Sequence, residues 1–213
     1  TEVGLGTTDG SQIGQRGTYG WILIGGGRCQ CSSGKVVSKT RDMDSYRMEL
    51  HGLMSLMAGA WRMKKFRLIK AKCDNKSVVD GYEKIRKWEK GGGVGEFPKF
   101  NHSVDLWEEV RYWSGMWDGA FQLEWHKGHP EKRDPTRLSW CINDWMNHVA
   151  DRVAAAEYGR SGGDDSPECL RHQRRWRLMY EGDRVTSMTL LDALGNIQTC
   201  LLYTSDAADD SDC

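Results

Sequence analysis

The sequence predicts an α/β protein built on a mixed sheet of five strands, with helices packed on its faces. A glycine-punctuated run of three strands within the first 40 residues is typical of an antiparallel meander. After it, helices alternate with two more strands, and strands joined through a helix lie parallel with a right-handed crossover. We therefore expect one domain over residues 1–160, with three antiparallel strands followed by two parallel ones.

The first three strands read VGLGTTDGS, GTYGWILIGGG and RCQCSSGKVVS, and Asp9 is expected at the end of the first. The segment DSYRMELHGLMSLMAGAWRM is predicted helical, because its apolar residues recur every third or fourth position and Asp44 or Ser45 can cap it. FRLIKAKC is predicted as a short strand. NKSVVDGYEKIRKWE follows as a helix, with Asn75 as its cap.

The glycines of KGGGVGEFPK indicate a flexible connector, and HSVDLWEEVRYWSGMW is predicted as a third helix. AFQLEWHKGH alternates apolar and polar residues and predicts the fifth strand. SWCINDWMNHVADRVAAAEYG is the last predicted helix of the domain. Its spacing predicts burial of Val149, Val153 and Ala154.

Residues 161–199 are expected to form a linker and a small docked extension, with a β-hairpin turning at residues 181–183 and then a short helix. The stretch CLLYTSDAADD resembles the translation of a transposase adapter used in shotgun sequencing libraries. Residues 200–213 are therefore expected to be a non-native tail and are left out of the fold prediction. A natural acidic tail is the alternative.

Composition excludes some function classes. Basic and acidic residues balance at 30 each, so any surface for a polyanion must come from local clustering. No apolar run approaches the ~20 residues of a membrane-spanning helix, so no membrane partner is expected. The seven cysteines lack zinc-site spacing, which predicts reduced thiols in an intracellular protein, cytoplasmic or nuclear.

Four carboxylates stand at comparable places: Asp9 at a strand end, Glu49 near a helix start, Asp74 at the end of the fourth strand and Asp151 in the last helix. Neighbouring strand ends lie ~5 Å apart, and carboxylates so close cannot all ionise without a counter-charge. Mg²⁺ supplies that charge and prefers oxygen ligands, and two such ions ~3.5–4 Å apart can cleave a phosphodiester. The alternative for each acid is a helix cap or a surface charge.

Five motifs follow one another along the chain: TTDGS (7–11), SYRMELHGLMSL (45–56), CDNKSVVDG (73–81), WHKGHPE (125–131) and NHVADRVAAA (147–156). In their order and nearly in their spacing they resemble the ribonuclease H domain. The resemblance covers residues 5–157 and is greatest to the ribonuclease H domains of mobile-element reverse transcriptases. It implies a ribonuclease H-like fold and hydrolysis of the RNA strand of RNA–DNA hybrids. A reverse transcriptase domain in the same polyprotein would be a partner, which fits a chain that begins with Thr1.

The resemblance also implies roles for single residues. The four acids match the ligands of two Mg²⁺ ions, with Mn²⁺ as an alternative, and His129 matches a histidine that assists product release or proton transfer. His126 is expected to be a surface residue. Because residues 131–146 are longer than the usual connection, Asp144 competes with Asp151 as the fourth acid; the pattern NHVAD favours Asp151.

Residues beside these acids are expected to contact the phosphates and 2′-hydroxyls of the hybrid: Gly10, Ser11, Ser45, Asn75 and Lys76. KIRKWEK (84–90) offers a basic patch with one aromatic ring, or else an ordinary helix end, and RHQRRWR (171–177) is a second basic cluster. Two other functions stay open. One is a DNA-directed nuclease of the same superfamily, and the other is a non-catalytic nucleic-acid-binding domain of a mobile element.

Overall fold

The computed structural model describes residues 2–37 and 44–160, together with the backbone of residues 179–180 and 183–184. Five strands form one sheet: β1 (Glu2–Ile13), β2 (Arg16–Gly25), β3 (Arg28–Val37), β4 (Phe66–Cys73) and β5 (Phe121–Trp125). Their order is β3-β2-β1-β4-β5, antiparallel from β3 to β1 and parallel from β1 to β5. The predicted mixed sheet is confirmed.

The predicted helices are confirmed, and one short helix is added. They are α1 (Ser45–Met63), α2 (Lys76–Lys90), α3 (Val104–Trp117), α4 (Pro130–Arg133) and α5 (Ile142–Ala156), which leads into a 3₁₀ turn at Glu157–Gly159. The sequence did not predict α4, because four residues are too few to show a helical period. Of the two caps proposed for α1, Asp44 is the one observed, and it accepts the Arg47 N–H at 2.6 Å.

The main core lies between one face of the sheet and helices α1, α2 and α3. Trp21 and Leu23 of β2 face this core, and most of the predicted apolar stripe of α1 is fully buried there. Tryptophans of α3 fill the space behind α1, and Trp117 donates a hydrogen bond to the Met57 carbonyl at 3.1 Å. Many of the tryptophans therefore serve packing rather than base stacking.

The other face of the sheet carries α5. Ile22, which points opposite to its neighbours in β2, packs against Met146 and Ala150. A Cβ at Gly20 would lie 2.8 Å from both the Ala150 carbonyl oxygen and the Ala154 nitrogen, so α5 touches the sheet backbone to backbone.

Because Gly20 and the alanines of α5 let the helix approach the sheet closely, part of the helix face that was expected to be buried is turned outward. Ala154 is buried as predicted, but the predicted burial of Val149 and Val153 is wrong, because both are only partly covered.

In the extension, β6 (Met179–Tyr180) pairs antiparallel with β7 (Asp183–Arg184), as a hairpin requires. Asp183, predicted as part of the turn, instead pairs with Tyr180 in β7. The predicted linker, the basic cluster 171–177, the helix after the hairpin and the tail 200–213 lie outside the described residues. Within the described part of the chain, no helix is both long and apolar enough to cross a membrane.

Candidate active site

Asp9 and Asp74 meet where the parallel pairing of β1 and β4 stops. The last pair of that ladder is Thr8 with Cys73, so each acid is the next residue along its chain. The expectation that Asp9 ends its strand is wrong: β1 continues to Ile13, because its antiparallel pairing with β2 outlasts the parallel one. Side chains alternate between the faces of a sheet, which turns both acids toward the α5 face.

Glu49 enters the site from the opposite face, on the first turns of α1. A Cβ at Gly10 would lie 2.2 Å from the Glu49 nitrogen, so only glycine lets α1 cross the sheet this closely. The Gly10 N–H interacts with the carboxylates of both Asp9 and Glu49. Cys73 faces the same side, with its thiol 3.8 Å from Glu49 Oε2. The close crossing of helix and sheet is what brings Glu49 to the strand ends.

Asp151 joins this group from α5, while Asp144 does not. Burial and Asp74 raise the pKa of Asp9, and the Asp151 carboxyl lies near enough to add to that rise. Asp144 is also buried, but it accepts hydrogen bonds from the Cys141 N–H at 3.0 Å and from the Arg133 guanidinium. The structure therefore brings together Asp9 and Asp151, as the NHVAD pattern suggests, and gives Asp144 other partners.

The negative charge of the four-acid cluster is not balanced by any Lys or Arg among the described residues. Burial, followed by repulsion from neighbouring acids, raises the pKa of Asp9 and of Glu49 well above the usual values. Burial also raises the pKa of Asp74, although His129 opposes the rise. Among the residues that the structure describes, no Lys or Arg forms an ion pair with any of the four acids.

A largely buried carboxylate cluster that no described Lys or Arg pairs with fits a bound divalent cation. The oxygens of Glu49 and Asp74 lie within 4.8 Å of each other and of the Cys73 sulfur. Oxygen-rich, anionic surroundings of this kind suit Mg²⁺ or Mn²⁺. Ligation by the four acids stays a prediction, and the donor set agrees with it.

His129 sits at the rim of this cluster on a tightly held loop. Its backbone N–H donates to Asn147 Oδ1 at 3.3 Å, and its ring Nδ1 lies 3.3 Å from Glu131 Oε1. A Cβ at Gly128 would lie 2.0 Å from Asp74 Oδ2, so the loop passes directly over that carboxylate. The His129 ring is half exposed and remains available to a substrate.

His126 does not behave as the expected surface residue. Its ring Nε2 lies 3.1 Å from Asp144 Oδ1, and its side chain is only 20% exposed. Burial opposes ionisation of Asp144, but hydrogen bonds from Cys141, His126 and Arg133 outweigh it and lower the pKa of Asp144 to about 2. Asp144 therefore ties the end of β5 and the short helix α4 to the start of α5. The strand alternation of β5 could not reveal this partner.

Two of the expected substrate contacts lie on β1. Gly10 is covered by α1 on the side where a side chain would project, which gives it a packing role. The Ser11 hydroxyl accepts a hydrogen bond from the Tyr158 hydroxyl at 3.1 Å. Contact of either residue with a substrate stays a prediction.

The other three expected contacts lie at helix starts. Ser45 is exposed at the first residue of α1. The Asn75 side chain caps α2 as predicted, accepting the N–H groups of Ser77 at 3.1 Å and Val78 at 3.3 Å. Lys76 is exposed and forms an ion pair with Asp80 at 2.8 Å. Ser45 and Lys76 thus remain accessible beside the acids.

The aromatic ring of the 84–90 segment is not a free stacking surface. Trp88 packs edge-on against Phe97 at a centroid distance of 5.4 Å, beside the Arg111 guanidinium. Arg86 of the same segment forms an ion pair with Glu89. These contacts favour the ordinary helix-end interpretation for Trp88.

Three positioning residues were not predicted: Gly20, Gly128 and Asn147. Asn147 is buried, and its side-chain oxygen accepts a hydrogen bond from the His129 N–H. Burial raises the pKa of Asp74, and Asn147 opposes that rise slightly. The asparagine stands in the quoted NHVAD motif, so the sequence did hold a signal for it. The two glycines gave no such signal, because their role depends on contacts between distant segments.

The sheet order and flanking helices define the ribonuclease H fold, and comparison with solved structures agrees. The solution structure of the PFV ribonuclease H domain matches with a TM-score of 0.51 and 18% identity, over 72% of this chain and 93% of that domain. A crystal structure of the prototype foamy virus protease–reverse transcriptase matches with a TM-score of 0.51 and 15% sequence identity, over 75% of this chain. A foamy viral protease–reverse transcriptase in complex with RNA/DNA hybrid matches with a TM-score of 0.50 and 11% sequence identity, over 74% of this chain and 20% of that one.

This chain spans 21% of the length of the prototype foamy virus protease–reverse transcriptase. At these identities the likeness establishes the fold. No protein-family model and no curated protein matches the chain.

Proposed function

We propose that this protein is an endonuclease that hydrolyses the RNA strand of RNA–DNA hybrids with two divalent metal ions. The observation that carries the proposal is the meeting of Asp9, Glu49, Asp74 and Asp151, from four separate elements, in one cluster. No Lys or Arg in the described part of the chain forms an ion pair with any of them. Buried like charges at this spacing are costly unless a cation binds them. A structural role alone would not favour such a cluster.

Each element has a distinct task in the proposed site. Asp9 and Asp74 are held by the backbone where the parallel ladder ends, so their position varies little. Glu49 and Asp151 close the cluster from the two faces of the sheet. Divalent ions held by these four acids would supply counter-charge to a phosphodiester and would lower the pKa of an attacking water. His129, whose ring is half exposed at the rim, would handle a proton or assist product departure.

The hybrid as substrate is supported by the fold and by one comparison. The foamy viral enzyme that shares this fold was solved in complex with an RNA/DNA hybrid. Exposed Ser45 and Lys76 flank the cluster, where phosphates or 2′-hydroxyls of a hybrid would pass. Because the similar foamy virus protein is a protease–reverse transcriptase, we extend the proposal to a reverse transcriptase of a mobile element as the parent protein.

The test is cleavage of a labelled hybrid with Mg²⁺ by wild type, Asp74→Asn and Asp80→Asn. Asp80 is a matched control, since it lies six residues further on and forms an exposed ion pair with Lys76. We expect wild type and Asp80→Asn to release RNA fragments, and Asp74→Asn to lose nearly all activity. No cleavage by wild type would refute the proposed nuclease activity, and full activity of Asp74→Asn would refute the assignment of the active site.

A further inference from the structure

The long connection between His129 and α5 builds an aromatic and basic surface that the proposed chemistry does not use. The Trp140 and Trp145 rings meet nearly edge to face, with centroids 4.7 Å apart. The Arg137 guanidinium lies 5.3 Å from the first ring centroid and 5.7 Å from the second. Trp145 is 40% exposed, which is unusual for so large a ring unless it has a partner.

The loop that carries Arg137 is held in shape by its own hydrogen bonds. Asp134 accepts the Thr136 N–H at 2.9 Å and both the N–H and the hydroxyl of Ser139, at 2.8 and 2.7 Å. The Trp140 indole donates to the Asp134 carbonyl at 3.0 Å. The arginine and the two rings are therefore presented on a preformed loop, so a ligand would meet little ordering cost.

This surface carries basic side chains that no acid of the segment pairs with. The acids of the segment are all engaged within it: Glu131 with His129 and His148, Asp134 with its own loop, and Asp144 with Arg133 and His126. Three nearby cations are exposed and form no ion pair with any described residue: Lys132, Arg137 and Arg152.

The surface is continuous with the rim of the acid cluster. Trp145 and Arg152 are seven residues apart on α5, so both lie on one side of the helix, next to the side that carries Asp151. The Trp140 ring lies 5.1 Å from the His148 ring. His148 in turn lies 3.7 Å from Glu131, the carboxylate that holds the His129 ring.

We infer that Arg137, Trp140, Trp145 and Arg152 form an aromatic–basic face that binds the nucleic-acid substrate beyond the cleavage point. Exposed rings beside guanidinium groups bind sugars and bases by stacking, and unpaired cations bind phosphates. A protein partner would need acidic groups to match these cations, whereas a nucleic-acid strand supplies one phosphate per nucleotide. The inference rests on the proposed function for the identity of the ligand.

The test measures binding separately from cleavage. The full chain is titrated into a short fluorescein-labelled RNA–DNA hybrid with EDTA, and fluorescence anisotropy is followed across a salt series. We expect Trp145→Ala to weaken binding by about fivefold or more, because stacking on one aromatic ring contributes that much. Arg152→Ala should lower the slope of log Kd against log salt by about 0.7–0.9, as expected for one lost phosphate contact.

Two exposed residues away from the face serve as matched controls. Tyr112 is 43% exposed on α3, and Arg28 is exposed at the turn between β2 and β3. Tyr112→Ala and Arg28→Ala should leave both the Kd and the salt slope unchanged, and thermal melting checks that all four variants fold.

The outcomes separate this inference from the proposed function. If wild type cleaves the hybrid but Trp145→Ala and Arg152→Ala bind it within twofold of wild type, the aromatic–basic face is refuted and the enzyme stands. The aromatic–basic face is likewise refuted as a nucleic-acid site if those variants keep hybrid binding and lose only the binding of a protein partner. If wild type binds and the variants lose binding as expected, while no cleavage occurs with Mg²⁺, the face is supported and the catalytic proposal fails. A wild type that binds no hybrid refutes both.

Discussion

Replacing Glu49 by Gln should make the metal-free protein more stable while abolishing cleavage. Glu49 is 5% exposed, and its carboxylate oxygen lies within 4.8 Å of that of Asp74. Two unit charges at that separation repel by about 3 kcal/mol at an effective dielectric constant of about 20. Glutamine keeps an oxygen that can accept the Gly10 N–H, and it adds an amide that can donate to Asp74. We expect a gain of about 2 kcal/mol, allowing for partial protonation in wild type.

The gain should depend on pH with a definite sign. Burial and the neighbouring acids raise the folded-state pKa of Glu49 and Asp9 above their values of 4.5 and 3.8 in an unfolded chain. The folded protein therefore binds protons that the unfolded chain releases, and its stability is highest below those values and falls as pH rises through the raised pKa. Glutamine resembles the protonated carboxyl. The variant should thus match wild type at pH ~4 and exceed it at pH ~8.

The assay is urea unfolding in EDTA at both pH values, supported by thermal melting. A gain of about 2 kcal/mol corresponds to roughly 4–8 °C in Tm for a chain of this size. Excess Mg²⁺ should reverse the order, since wild type binds it more tightly. Glu83→Gln, at an exposed position on α2, should stay within about 0.5 kcal/mol of wild type. Equal stability of wild type and Glu49→Gln in EDTA at pH ~8 would refute this reasoning.

Four further substitutions test the site and its supports. Gly128→Ala should abolish hybrid cleavage, measured as kcat, because the added Cβ would lie 2.0 Å from Asp74 Oδ2 and displace that carboxylate. Asp144→Asn should lower the free energy of unfolding by about 1–3 kcal/mol and retain Mg²⁺-dependent cleavage, because its hydrogen bonds are structural. Asp151→Asn should instead lose Mg²⁺-dependent cleavage without a loss in the free energy of unfolding. If Asp144→Asn loses cleavage and Asp151→Asn retains it, Asp144 is the fourth acid of the site. Asn75→Ala should cost about 1 kcal/mol in urea unfolding, because both capping hydrogen bonds of α2 are lost.

A second glycine substitution serves as the control for Gly128→Ala. Gly159→Ala adds a Cβ with nothing within 4 Å, so cleavage and melting temperature should match wild type. If Gly128→Ala cleaves at the wild-type rate, the loop does not press on Asp74 as the structure indicates.

Local patterns in the sequence were enough to predict most of the elements and their caps. The apolar period of α1 and the cap of α2 at Asn75 are properties of neighbouring residues, which is why they could be read directly. The mixed sheet followed from the order of elements and the handedness of crossovers. The meeting of Asp9, Glu49, Asp74 and Asp151 was expected from their places along the chain and from the resemblance to ribonuclease H domains.

What could not be predicted depends on contacts between distant segments. The partners of Asp144 come from α4 and the end of β5, so neither its hydrogen bonds nor the burial of His126 leaves a local pattern. The partial exposure of Val149 follows from the close approach of α5 to Gly20, which a helical period does not encode. Asp9 lies inside β1 because antiparallel and parallel pairing stop at different residues.

The central claim is tested most directly by incubating wild-type protein and Mg²⁺ with a hybrid that carries separate labels on its RNA and DNA strands. We predict that only the RNA strand is cut, at internal positions, leaving 3′-hydroxyl and 5′-phosphate ends, and that EDTA stops the reaction. Cutting of the DNA strand, or an intact RNA strand under conditions where the protein is folded, would contradict the account.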